Sequence, residues 1–456
     1  MVSYSGETVS VIDMSALLLS LFVATTGLSD SGVPQQSQPA KPAQVHAHVA
    51  VTAPLLTPTK ETSGTAWLPP VTPMYGVHQP WRGWDVRVNG IAFLQVVYEP
   101  RDRHRTGGAG TRQGGSVNWG MFAARRGLAG GRFGVRTMFS AEPWTVPGCG
   151  SLSFLATGEV CDGDSIHDRQ QPHDLFMELA VDYDRTLRGA WRWQVYAGLA
   201  GEPALGPPGY PHRASAMANP AGPITHHWLD STHVTFGVVT VGVHNQRWKA
   251  EVSAFNGREP DDSRVDLDLG AFDSVAGRLS FLPTDRLALQ ISAARLRDAY
   301  TDFPFPNQDH ATRVTASAMY HLPLGEKSFW ATTLAYGANR AREIVPGDVL
   351  DATTSAALLE SSATFSDRHT VFARGEIAGT PAHHLHALEY STSVFAVGKV
   401  QIGYVRHFET RGGLVPGIGA TASLSVVSPE LASRYSGRVA PGFGVFFSLQ
   451  AGRHQM

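Results

Sequence analysis

The stretch 247–254 reads RWKAEVSA, with apolar side chains at every even position and Arg, Lys, Glu or Ser at every odd one. Alternation with a period of two places the two sets on opposite faces of a β-strand. The same pattern spans 84–98, where the apolar and the polar side chains again separate onto two faces. We therefore expect strands that each have one apolar and one polar face.

The alternation recurs almost to the end of the chain, in stretches of about ten residues, the length that a tilted strand needs to cross hydrocarbon. The further stretches are 132–140, 174–184, 191–199, 232–243, 275–282, 286–295, 312–320, 328–337, 369–378, 400–409, 417–427 and 442–450. We predict about sixteen strands, with fourteen or eighteen as alternatives because 428–441 breaks the alternation.

The connections between these stretches alternate between short and long. Short connections are 127–131, 185–190, 244–246, 282–285, 323–327 and 366–368, and long ones are 141–173, 201–231, 257–271, 298–311, 340–353 and 379–386. A β-sandwich array and a propeller are competing soluble folds, but no blade repeat of roughly 40–50 residues is present. Since lipid cannot hydrogen-bond a bare strand edge, a membrane sheet must close. We predict an all-β transmembrane antiparallel β-barrel, with long loops on one side and short turns on the other.

The composition excludes several other classes of protein. No apolar run reaches the roughly 18 residues of a transmembrane helix. The formal net charge is −2, from 37 Lys and Arg against 39 Asp and Glu, so we expect no nucleic-acid partner. The 10 Trp, 12 Tyr and 21 Phe residues are too many for a chain that is disordered throughout.

The N-terminal part predicts export. Residues 1–28 are predicted to form a signal segment whose apolar part is Ser15–Leu28, although Glu7 and Asp13 precede it and no basic residue does. Residues 29–80 are rich in Pro, Ser and Thr and predict a flexible tail, and 81–456 form the barrel.

Only two cysteines are present, Cys149 and Cys161. In an exported chain this spacing favours a disulfide that closes a loop, and two unrelated thiols are the alternative.

The polar faces of the strands carry charges of both signs, which would cost about 2–4 kcal/mol each if they faced lipid. We therefore predict that they line the lumen, whether it is water-filled or plugged, without a strong preference for cations or anions. These predicted pore-lining residues are Arg87, Glu178, Asp182, Arg192, Lys249, Glu251, Arg278, Arg374 and Glu376.

Histidines concentrate in the two longest loops, which are also dense in Pro, Asp and Arg and are predicted to fold into the lumen as a constriction. Imidazole with carboxylate or thioether suits copper or zinc. The candidate metal ligands are His167, His173, His212, His226, His227 and His233. Their spacing matches no established ligand motif, so hydrogen bonding within structured loops is the alternative. His383, His384 and His386 form a weaker group of the same kind.

An enzyme is not expected. The sequence has no G-x-S-x-G motif, and Ser231 with His233 is merely a nearby pair without an orienting carboxylate. A barrel-type lipid hydrolase remains the least favoured alternative, and no catalytic residue or organic cofactor is predicted.

Four strings carry a resemblance to a known family. They are NWGMFAARR (118–126), DRQQPHDLFMELA (168–180), PHRASAMANPAGPITHHWLDSTHVTFGVVTVGV (211–243) and FNGREPDDSRVD (255–266). Together they resemble a family of uncharacterised bacterial outer-membrane β-barrel proteins, over roughly residues 80–450. The resemblance implies a porin-like fold in the bacterial outer membrane and an association with transition-metal handling, copper included.

These observations favour a pore or transport component with ordered His-rich loops at its mouth. The main alternative is an outer-membrane protein that binds copper or zinc in metal resistance or export. Outer-membrane lipid, the barrel-assembly machinery, and small solutes or metal ions are the expected partners, and the barrel is expected to form a homo-oligomer if it follows other pores of this size.

Overall fold

In the computed structural model, the described residues are 62–100, 111–161, 164–297, 310–345, 348–390, 392–435 and 437–452. The predicted signal segment (1–28) and the predicted tail up to residue 61 lie outside them. The strands are β1 (Val77–Trp81), β2 (Trp84–Glu99), β3 (Thr111–Leu128), β4 (Gly131–Phe139), β5 (Ser151–Cys161), β6 (Asp164–Gln170), β7 (Phe176–Arg188), β8 (Trp191–Gly201), β9 (Thr235–His244), β10 (Trp248–Phe255), β11 (Ser274–Thr284), β12 (Leu287–Leu296), β13 (Ala311–Pro323), β14 (Phe329–Val345), β15 (Asp348–Phe365), β16 (His369–Pro381), β17 (Val394–His407), β18 (Leu414–Val426) and β19 (Val439–Ala451).

Helical structure in the described ranges is limited to single turns. Two are α-helical, α1 (Glu142–Thr145) and α2 (His226–Leu229), and five are 3-10 turns, Tyr210–His212, Ser231–His233, His383–Leu385, Leu388–Tyr390 and Pro429–Leu431. No helix among the described residues is long and apolar enough to cross a membrane.

Sixteen antiparallel strands close into a barrel, which confirms the predicted fold class and strand number. The last strand, β19, pairs with β2, where Phe443 lies opposite Tyr98. The ring is completed through β4 and β7, then through β8, β9 and β10. The strand β1 folds back on the start of β2, while β5 and β6 form a separate two-stranded hairpin. Closure leaves the barrel wall without an unpaired edge, as a sheet in lipid requires.

The outer face of the barrel is apolar and the inner face is polar. On β10, Trp248 and Val252 point outward, whereas Lys249, Glu251 and Ser253 are buried inside. The outward positions of the other strands carry similar residues, among them Ile291, Leu334 and Ile402. This is the inside-out distribution of a barrel whose outer surface contacts acyl chains.

Exposed tryptophans lie near the ends of the strands, as interfacial aromatic girdles require. Trp81, Trp191 and Trp248 lie at the short-turn end of the barrel and are exposed. Trp228, by contrast, is buried inside the lumen and donates from Nε1 to Thr354 Oγ1. It belongs to the inward-folded connection between β8 and β9.

The connections follow the predicted alternation with one exception. The stretch 340–353 was predicted as a long loop, and this was wrong, because β14 runs to Val345 and β15 begins at Asp348. The two strands extend beyond the apolar band, where outward side chains meet water. The exposed pair Arg340 and Asp351, with nitrogen and oxygen 3.1 Å apart, interrupts the apolar face there. The alternation is therefore lost although the strands continue.

The interior is filled by the chain itself. The disulfide joins Cys161, the last residue of β5, to Cys149, which lies two residues before β5 begins, and this is the pairing that their spacing favours. Apolar side chains of this hairpin and of the β8–β9 connection, such as Phe154, Trp228 and Leu229, pack with small wall residues in one buried cluster. Residues 62–67, expected to belong to a flexible tail, are buried inside the barrel.

Candidate functional site

The connection 202–234 between β8 and β9, which we call the lumen loop, reaches from one side of the barrel to the other. Its Arg213 is fully buried and donates from Nε to Glu360 Oε1 of β15 at 2.6 Å and from Nη1 to Asp230 Oδ2 of the same loop at 2.5 Å. Arg374 of β16 contacts the other oxygen of Glu360 at 3.2 Å. The loop is thus fixed to the wall opposite its own strands by a network of buried charges.

Further contacts hold the lumen loop along β14, β16 and β17. The backbone nitrogen and the hydroxyl of Thr225 donate to Glu376 Oε1 at 3.1 and 2.9 Å, and Asn219 Nδ2 donates to Gln401 Oε1 at 2.7 Å. At Gly337 a β-carbon would lie only 2.1 Å from the carbonyl oxygen of Trp228, so only glycine allows the loop backbone this close to the wall.

A second segment, residues 62–67, occupies the lumen, and we call it the strap. Its neighbour Val71 hydrogen-bonds the turn between β11 and β12, so the strap reaches the lumen from the short-turn side. Glu178 Oε1 accepts from the nitrogen of Gly64 at 3.0 Å, Arg136 donates to the carbonyl of Thr62 at 2.8 Å, and Lys249 donates to the carbonyl of Thr65. Charged wall residues that would line an open pore therefore bind backbone instead.

The strap and the lumen loop meet at Glu202. Ser63 Oγ donates to Glu202 Oε2 at 2.8 Å, and Arg278 bridges the two segments by donating to Thr65 Oγ1 at 2.9 Å and to the carbonyl of Gly206 at 3.3 Å. Burial raises the pKa of Glu202 to about 8, although Arg278 opposes the shift. At neutral pH this carboxyl is protonated, so the junction carries less negative charge than its composition suggests.

The predicted pore-lining residues lie on the inner face, but few of them meet open space. Glu178, Lys249, Glu251, Arg278, Arg374 and Glu376 are all buried. Asp182 lies 3.7 Å from Arg125, Arg87 is partly buried near the same arginine, and Arg192 pairs with Asp184 closer to the short-turn end. Their role in permeation stays a prediction, because the strap and the lumen loop cover most of them.

Three of the six predicted metal ligands, His173, His226 and His233, form one buried group, which we call the histidine cluster. The ring of Tyr210 packs against all three. Nε2 of His173 lies 3.1 Å from Nε2 of His233. The other ring nitrogen of His173 lies 3.1 Å from the carboxylate of Glu142 in α1, and that of His233 lies 2.8 Å from the carbonyl of Asp230.

The remaining ring of the cluster is held in the same way. Nδ1 of His226 lies 2.9 Å from Asp230 Oδ1, and its ring centre lies 5.1 Å from that of His233. Each of the three imidazoles thus has its Nδ1 beside an oxygen acceptor, the arrangement that fixes the orientation of metal-binding histidines in proteins.

The pKa values of the histidines in the cluster shift in different directions. Burial opposes a charge on His173, but Glu142 prevails and raises its pKa. Burial and the neighbouring His226 and His173 lower the pKa of His233 well below its ordinary value. The cluster can therefore share a proton, with His173 donating to His233, or it can hold a metal ion in place of that proton. Both uses need the short distance between the two Nε2 atoms.

The other three predicted ligands have different principal partners, although the ring of His227 also lies 5.6 Å from that of His226. His167 stacks on His386 with ring centres 4.1 Å apart, and His212 lies against Trp119 at 4.4 Å. His227 faces Glu259 at 3.2 Å and the carbonyl of Thr157 at 2.9 Å. The structure thus divides the predicted set of six instead of joining it.

Sequence reasoning missed Glu142, Tyr210 and Glu360 because their partners are distant in the chain and no local spacing marks them. Ser231 and His233 are close in sequence but contact different groups. Ser231 Oγ accepts a hydrogen bond from Arg313 at 2.8 Å, while His233 faces Asp230 and His173.

No protein-family model matches the sequence, and no curated protein matches it. Among solved structures, an anion-selective porin from Comamonas acidovorans has 10% identity and a TM-score of 0.47, covering 80% of this chain and 99% of that one. OprB of Pseudomonas putida has 10% identity and a TM-score of 0.49, covering 81% and 94%. OmpF of Salmonella typhi has 8% identity and a TM-score of 0.47, covering 82% and 100%.

The architecture itself assigns the class of protein. Sixteen strands close into a ring, short turns alternate with long connections, and the outward side chains are apolar while the inward charges are buried. This chain is a closed sixteen-strand β-barrel of the outer-membrane type.

Proposed function

We propose that the protein is a gated conduit for small polar solutes, closed in this conformation by the lumen loop and the strap. The mixed signs of the inner face predict no strong preference for cations or anions. Solutes pass when one or both segments leave the lumen, and the barrel wall stays intact.

The burial of the inward charges carries this proposal. Arg213 is 0% exposed, Lys249 0% and Glu360 1%, whereas the side chains lining a water-filled pore would be wetted. These charged side chains form polar contacts with the lumen loop and the strap, in addition to packing against apolar side chains. Buried ion pairs contribute little net stability compared with apolar packing. A network of this kind therefore suits a contact that must form and release.

Deletion of most of the lumen loop is expected to raise conductance. In planar bilayers, the full chain should give small or rare openings, and a variant with 203–230 replaced by a short Gly-Ser linker should give larger, persistent ones. A control removes only the exposed residues 261–263 of the β10–β11 connection and leaves Glu259, the partner of His227, in place. Equal conductance of the full chain and the lumen-loop deletion, with both barrels folded, would contradict the proposal.

A second candidate function is the binding of copper or zinc in the histidine cluster, favoured by the 3.1 Å separation of the two Nε2 atoms and the oriented Nδ1 atoms. Metal binding requires deprotonated imidazole, so the lowered pKa of His233 favours it and the raised pKa of His173 makes it pH-dependent.

Replacing His233 with alanine should abolish such binding, and copper or zinc affinity should fall as pH drops below the pKa of His173. Titration calorimetry at several pH values measures both effects, and His212→Ala serves as the control because His212 packs against Trp119. Unchanged affinity in the His233 variant would remove this candidate.

A further inference from the structure

A second group of possible metal ligands lies at the loop-side rim of the barrel, outside the histidine cluster. Glu343 is close to the end of β14, and His383 and His384 form the start of the 3-10 turn His383–Leu385 between β16 and β17. Both elements lie on the side of the long loops, which faces the cell exterior in outer-membrane barrels.

The ligand atoms of these three side chains converge. Nε2 of His383 lies 2.7 Å from Glu343 Oε2, and Nε2 of His384 lies 3.7 Å from the same oxygen. One ligand atom from each residue lies within 4.8 Å of the other two. The two rings are 75° apart, so neighbouring residues present two nitrogens to one point from different directions.

The surroundings fix this geometry. Arg434 donates from Nη2 to the carbonyl of His386 at 2.7 Å, and the nitrogen of Ala382 donates to the carbonyl of Ser393 at 2.9 Å, so both ends of the turn are held. His386 itself stacks on His167 of β6. A ligand pair on a turn held at both ends needs little reorganisation to bind an ion.

The charge balance also suits a cation. Glu343 and the two histidines are largely buried, and the ion pairs of Glu343 within the described ranges are with these two histidines, neither of which is a permanent cation. A divalent ion would neutralise the carboxylate and use both imidazoles at once.

We propose that Glu343, His383 and His384 form a binding site for a divalent transition-metal ion of the zinc type. Two imidazole nitrogens and one carboxylate oxygen are the ligands of three-residue zinc sites that keep a fourth position for water, whereas calcium and magnesium prefer oxygen alone. The site goes beyond the gated conduit and shares no residue with the histidine cluster, so each can exist without the other.

The test is zinc titration of the full-length protein folded in detergent micelles, with Co²⁺ absorption as an independent report of nitrogen and oxygen coordination. The substitutions are Glu343→Gln, which keeps the shape of the side chain, and His384→Ala. Each should weaken one zinc site by at least tenfold, since even partners beyond the ligands are worth about 10–100-fold in affinity. His369→Ala is the matched control, because His369 lies at the short-turn end and contacts Tyr404.

The variants must retain the heat-modifiable gel shift of a folded barrel, and His233→Ala should leave this site intact. Zinc affinity that is equal in the wild type and Glu343→Gln would overturn the proposal. Absence of zinc binding by the wild type at micromolar concentrations would overturn it as well, leaving the group as a pair of histidine–carboxylate contacts. Loss of the same zinc site in His233→Ala would assign the ion to the histidine cluster instead.

Discussion

Replacing Arg213 with methionine is expected to release the lumen loop from the barrel wall while the barrel stays folded. The guanidinium is the shared partner of Asp230 and Glu360, and all three groups are buried. Burial opposes ionisation of Asp230, but Arg213 and His226 hold its pKa below the usual range. Without Arg213, two carboxylates remain in the interior with less compensation, and breaking a buried ion pair costs about 3–5 kcal/mol.

Because the cost falls on the loop and not on the sixteen-strand ring, the expected response is local opening. Chymotrypsin should then cleave after Trp228, which is 3% exposed in this structure. The conductance of the variant should rise in parallel with cleavage.

Two controls show whether charge is the cause. Arg340→Met removes an exposed pair with Asp351 and should change stability by less than about 1 kcal/mol. Arg213→Met combined with Glu360→Gln should protect the loop better than Arg213→Met alone, since one unpaired carboxylate is removed. If Arg213→Met remains as resistant to chymotrypsin as the wild type, the ion pairs do not hold the loop.

The barrel could be predicted from the sequence because its cause is local and repeated. Each strand must present alternate residues to lipid, so a stretch such as 247–254 records the environment of both faces directly. The alternation of apolar and polar residues is lost where the outward side chains no longer face lipid. Beyond the apolar band, outward positions such as Arg340 meet water, and the strands β14 and β15 continue there without an apolar face.

The sequence predicted that ordered loops fold into the lumen, but not which residues of the barrel wall they contact. The density of Pro, His, Asp and Arg in the lumen loop indicated ordered structure, but many of its partners on the wall, such as Glu360 and Glu376, are more than a hundred residues away in sequence. Arg213 and Glu360 are separated by 147 positions, and neither has a local spacing that marks the contact. The same limit applies to the histidines: counting them predicted one group, whereas the folded chain divides them between the cluster, the rim and aromatic contacts.

Arginine at position 252 is expected to destabilise the barrel strongly, whereas arginine at position 265 is not. Val252 lies in the middle of β10, faces outward opposite Val241 of β9, and is 59% exposed in the absence of lipid. Val265 has a similar exposure of 47% but lies in the long connection between β10 and β11. The two substitutions are identical in chemistry and differ only in what surrounds the side chain.

An arginine facing lipid near the midplane of a membrane costs about 2–4 kcal/mol, and the same change at a surface in water usually stays within about 0.5 kcal/mol. Urea unfolding from phospholipid vesicles, followed by tryptophan fluorescence, measures both free energies of unfolding. A soluble barrel would tolerate both changes equally, since each valine would already contact water. Equal and small effects of Val252→Arg and Val265→Arg would therefore refute the lipid-facing assignment, and with it the location that the fold implies, whereas a difference of the expected size identifies acyl chains as the solvent of the outer face.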